Sequence, residues 1–74
     1  MAVEVELFGQ LLPDQPRQRT IEIKGPSRVC DLACVIGLDT AEIGLIAIDG
    51  VQSELDDFVG PDSRLCFFPY VSGG

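Results

Sequence analysis

The group in this chain best placed to do chemistry is its own carboxyl end, carried on Gly74 behind Gly73. Neither residue has a Cβ, so the segment can take any φ and approach other backbones closely, as threading a narrow channel demands. A carboxylate is a poor electrophile, so acyl chemistry at Gly74 requires its prior activation. Cysteines are the other reactive groups. Cys30 and Cys34 stand at i, i+4 and share a face if their segment is helical, but the chain has no His and only one further cysteine, Cys66, so a zinc ligand set is incomplete. The pair reads instead as small residues packed at a helix edge. The acidic residues, Asp56 and Asp57 included, scatter over strand edges and turns and read as a solvated surface, in part a docking rim. No pair of them is spaced for acid–base catalysis.

The elements that must position this end follow from hydrophobic periodicity. From Ala2 to Phe8, Val3, Val5 and Leu7 alternate with Glu4 and Glu6, the period of a strand with one wet face. Gly9 to Arg17 is a connection carrying Pro13 and Pro16, and Thr20 to Lys24 alternates again, which predicts a hairpin. After the Gly25-Pro26 break, Ser27 is placed to cap a helix over about Arg28 to Ile36. Val29, Leu32, Ala33 and Ile36 form its apolar stripe, and Gly37 its stop. Leu45 to Ile48 predicts a third strand of undecided parity, Asp49-Gly50 a tight turn, and Val51 to Ser53 a short fourth strand. Leu55 to Val59 reads as irregular or a single turn, Gly60 to Ser63 as a turn, and Arg64 to Phe68 as the last strand. Pro69, lacking an N–H, ends pairing. Strand, strand, helix, strand, short strand, strand predicts an α+β fold of the ubiquitin-like β-grasp type: a mixed four- to five-stranded sheet with one main helix across it. The expected division is a domain over 1–69 and a flexible tail over 70–74.

Composition bounds the function. Seventy-four residues with 46% hydrophobic content suffice for one small core. An odd cysteine count and a start without a signal-peptide layout predict a reduced, cytoplasmic protein. No apolar run approaches the ~20 residues that cross a bilayer. A formal net charge of −7 opposes binding to nucleic acid or to anionic membranes and favours a basic surface on a protein partner.

The ending Phe67-Phe68-Pro69-Tyr70-Val71-Ser72-Gly73-Gly74, with Asp49-Gly50 upstream, resembles that of the sulfur-carrier family that includes the small subunit of molybdopterin synthase (MoaD) and the thiazole-forming carrier ThiS. The resemblance implies a protein cosubstrate rather than an enzyme. An E1-like adenylating partner of the MoeB or ThiF type would use ATP to activate the Gly74 carboxylate, and the product would be a C-terminal thiocarboxylate. It implies no permanently bound cofactor. The accepting partner is then the large subunit of molybdopterin synthase or another sulfur-accepting enzyme, with thiamine-thiazole synthesis and conjugation of Gly74 to protein lysines as alternatives. Extended, Tyr70 to Gly74 reach about 16 Å at ~3.3 Å per residue.

Parity in the last strand turns Leu65 and Phe67 inward and Cys66 and Phe68 outward. Beside the tail, Phe68, Cys66 and the outward residues of strand three form a candidate docking patch with an acidic rim. Pro69, Tyr70, Val71 and Ser72 carry contact onward to Gly73 and Gly74.

Overall fold

In the computed structural model, which describes residues 1–70, the N-terminal alternation does what its period requires. Strand β1 (Ala2–Leu7) buries Val3, Val5 and Leu7 and leaves Glu4 exposed. It pairs antiparallel with β2 (Gln18–Glu22), Val3 opposite Ile21 and Glu6 opposite Gln18. β2 therefore lies two residues earlier than the predicted Thr20 to Lys24. The hairpin closes at Leu7, whose N–H donates to Arg17 O, whereas Ile23 keeps only a bond from its N–H to Met1 O.

The helix α1 (Val29–Ile36) buries the predicted stripe Val29, Leu32, Ala33 and Ile36. Its start corrects the expected cap. Ser27 belongs to a two-residue strand, β3 (Ser27–Arg28), and its hydroxyl donates to Gly25 O; the N-cap position is Arg28, which makes no side-chain cap. The first free N–H groups of the helix are met by tertiary carbonyls instead, Val29 N–H by Asp57 O and Cys30 N–H by Leu55 O, each at 3.0 Å. The helix end is as predicted. Gly37 is left-handed at φ 82°, with Gly37 N–H on Cys34 O and Leu38 N–H on Ala33 O, a Schellman motif whose apolar follower, Leu38, is buried. A short 3₁₀ turn (Thr40–Glu42), capped by the Asp39 carboxylate on Ala41 N–H, leads into β4.

Strand β4 (Ile43–Ile48) turns through Asp49 (φ 51°) and Gly50 (φ 83°) into β5 (Val51–Ser53), both central residues having the positive φ of a tight hairpin turn. Asp49 also accepts the Arg64 N–H on its carboxylate, tying the turn to the start of the last strand. The segment expected to be irregular contains a strand, β6 (Phe58–Val59), which pairs with β3. Asp57 is more than solvated surface, since its carboxylate accepts the Glu54 N–H and shapes the turn before β6.

Strand β7 (Arg64–Pro69) completes the sheet in the order β2-β1-β7-β4-β5; β1 and β7 are parallel and the other pairings antiparallel. This is a mixed five-stranded sheet with one helix. Pro69 is the last strand residue, level with Ile43, rather than the first beyond pairing. Leu65 and Phe67, fully buried on this central strand, sit in one core cluster with the helix stripe. Burying a side chain such as Phe67 stabilises by ~1.5–3 kcal/mol.

Candidate functional site

Because β7 alternates, Arg64, Cys66 and Phe68 emerge on the face away from the core. Its neighbours decide what surrounds them. On β4, Leu45 is level with Phe68 and Ala47 with Cys66; Ile43 and Ile46 turn inward, which settles the parity left open by the uniformly apolar run. On the parallel side Leu7 is level with Phe67, so Phe8 arrives beside Phe68, and their rings stack with centroids 4.4 Å apart and planes 12° from parallel. The result is an apolar end of the sheet face made of Phe8, Phe68, Leu45, Ala47 and Cys66, with Leu45 40% exposed.

The opposite end of the same face is polar. Glu4 and Glu6 of β1 lie level with Arg64 and Cys66, and the Arg64 guanidinium pairs with Glu6. Acidic groups thus lie at this end of the face, Glu6 among them ion-paired with Arg64.

The chain leaves this face at Pro69 and Tyr70, the latter 67% exposed. Two glycines that the periodicity did not single out stand against this exit. A Cβ on Gly9, two residues beyond β1, would lie 2.6 Å from Pro69 Cγ. A Cβ on Gly44 would lie 2.7 Å from Pro69 O and 2.8 Å from both Tyr70 N and Tyr70 Cα. Gly44 sits where the β4–β7 register shifts between Ile43 and Leu45. The available signal was a glycine inside a strand pattern, which marks a bulge or a close backbone approach.

Of the predicted site residues, Cys66, Phe68 and Pro69 lie in the second half of β7 and Tyr70 directly follows it, while Val71, Ser72, Gly73 and Gly74 lie outside the described residues. The three cysteines are free and are divided between elements: Cys30 and Cys34 on α1, Cys66 on the sheet. Cys30 is half-buried, as a packed helix-edge residue should be, but Cys34 is exposed. Among the described residues no three His, Cys, Asp or Glu side chains gather as a metal site, and no helix is long and apolar enough to cross a membrane.

This architecture, one helix laid over a five-stranded mixed sheet with parallel central strands, defines the protein's class as a ubiquitin-like β-grasp protein. Comparison with protein-family models and with curated proteins finds no match. Among solved structures, the chain is similar to SAMP1 from Haloferax volcanii, with a TM-score of 0.77 and 22% identity over the whole of both chains. A second structure of the same organism's small archaeal modifier protein 1 gives 0.76 and 21% identity, covering 95% of this chain and 98% of that one. The complex of subunits 1 and 2 of molybdopterin-converting factor from Helicobacter pylori contains a chain matched at 0.63 with 18% identity, again over the whole of both chains. Identities of this size establish the shared fold.

Proposed function

We propose that this chain is a sulfur carrier used through its terminal acyl group. An E1-like enzyme of the MoeB or ThiF type adenylates the Gly74 carboxylate with ATP, releasing pyrophosphate. Sulfide then attacks the activated carbonyl carbon and AMP departs, leaving a thiocarboxylate for delivery; where the donor is a protein persulfide, its attack displaces AMP to give an acyl disulfide, which a second thiol of the donor cleaves, releasing the thiocarboxylate and forming a disulfide. Molybdopterin biosynthesis, with this chain acting as the small subunit against the large subunit of molybdopterin synthase, is the favoured pathway. The supporting observation is the continuity of β7 with the ending: Phe68 lies on the exposed apolar sheet face, and the residues from Pro69 and Tyr70 onward lead to Gly73-Gly74. The face that carries Phe68 and the reacting end are thereby separated by only a few residues of sequence.

The reading is tested by incubating the purified chain with ATP, an adenylating enzyme and a sulfur donor and measuring intact mass. A gain equal to replacing one oxygen by sulfur, confined to the C-terminal peptide, is expected; an unchanged mass opposes the reading. A second reading is that Gly74 is conjugated to lysines as a protein modifier. It is favoured by the higher TM-score to the small archaeal modifier, 0.77, than to the molybdopterin-converting factor complex, 0.63. Gly-Gly remnants on lysines of cellular proteins, lost when Gly74 is deleted, would establish it.

A further inference from the structure

We infer that Gly44 is a positioning residue for activation of the acyl end, backed from the other side by Gly9; this rests on the carrier reading above. β7 lies between β1 and β4, and a glycine stands against Pro69 from each side, Gly44 within β4 and Gly9 in the turn just after β1. At Gly44 the backbone is not left-handed, so conformational freedom is not what glycine supplies there. What it supplies is the absence of a Cβ beneath the Pro69–Tyr70 peptide. The atoms a side chain would meet, Pro69 O, Tyr70 N and Tyr70 Cα at 2.7 to 2.8 Å, are backbone and cannot rotate aside.

An added methyl must therefore displace one partner by about 1 Å to restore ordinary contact. β4 is held by its ladder to β7 and by buried Ile43 and Ile46, whereas Tyr70 is exposed and beyond the ladder, so the exit segment gives way. The docking face at Phe68, two residues back, stays in place. A docked carrier would then feed its tail from a shifted origin, and displacements of about 1 Å from productive geometry cost up to ~10²-fold in rate. At Gly9 the obstacle is the Pro69 ring, which can yield partly, so the displacement of the exit is smaller there, although a side chain at its φ of 63° adds backbone strain of its own.

The test is steady-state adenylation by an E1-like enzyme, read as pyrophosphate release, for the wild-type chain and for Gly44→Ala, Gly9→Ala and Gly25→Ala. A Cβ at Gly25 meets nothing within 4 Å, so that variant serves as the control. Gly44→Ala is expected to lower kcat about tenfold or more while KM stays within about twofold, with Gly9→Ala lowering kcat several-fold and Gly25→Ala unchanged. An unchanged kcat for Gly44→Ala overturns the inference while leaving the carrier reading intact. An inactive wild-type chain overturns both. If Gly44→Ala does not fold, Gly9→Ala decides, and an unchanged kcat there is equally fatal. Independently of chemistry, wild-type NMR spectra should show a nuclear Overhauser contact between the α-protons of Gly44 and Tyr70, and its absence removes the geometric basis.

Discussion

The rings of Phe8 and Phe68 stack 4.4 Å apart on the solvent side of the sheet, joining the end of β1 to the end of β7. They meet because the two strands are parallel neighbours with Leu7 level with Phe67, so the next residue of each falls on the outer face together. A stacked pair contributes ~0.5–1.5 kcal/mol beyond the area it buries. Phe68→Ala is expected to cost about 1 kcal/mol of stability in urea denaturation but ~2 kcal/mol in affinity for the proposed adenylating enzyme by calorimetry, as an interface anchor does. Equal small losses in both would make Phe68 an incidental surface aromatic.

Its chain neighbour should behave in the opposite way. Phe67 is fully buried at the centre of the core. Phe67→Ala removes that ring at a cost of ~3–5 kcal/mol, comparable with the ~5 kcal/mol at the lower end of domain stability. Loss of the cooperative thermal transition by circular dichroism is the expected outcome.

Arg17 closes the long connection between β1 and β2. Its guanidinium donates to the carbonyls of Gly9, Leu11, Leu12 and Gln15, holding a loop in which Leu12 has φ 42° and Leu11 is buried. Arg17→Met keeps the stem and removes the donors. About 1–3 kcal/mol should be lost, with faster hydrogen exchange at the Gln15 amide, which donates to Leu12 O, than at Val5 in the sheet.

Two glycines flanking α1 provide a paired test of backbone conformation. Gly37 is left-handed at φ 82° with open space around a built Cβ, while Gly25 has similar space without a positive φ. Gly37→Ala should destabilise by about 1 kcal/mol through conformational strain alone. Gly25→Ala should be neutral or slightly stabilising because it restricts the unfolded chain. The ranking is read from thermal midpoints.

The elements legible beforehand were those whose cause is local. Val3, Val5 and Leu7 alternate because side chains on a strand do, the stripe from Val29 to Ile36 follows helical spacing, and Gly37 and Asp49-Gly50 occupy positive-φ positions that few other residues accept. Cys66 and Phe68 were likewise placed outward by parity alone. The chemical hypothesis too came from local sequence, the run Phe67 to Gly74.

What only the tertiary structure decided depends on partners distant in the chain. Ser27 has the chemistry of a cap, yet carbonyls of Leu55 and Asp57 reach the helix N-terminus first, and the β3–β6 pairing that brings them is too short to leave a periodic signature. The facing of Leu45 and Ala47 was undetermined in an apolar run and is imposed by register with β7. Gly44 and Gly9 acquire their meaning only once strands β1 and β4 flank Pro69, because the need for a missing Cβ is a property of the space between chains and leaves no mark on either segment by itself.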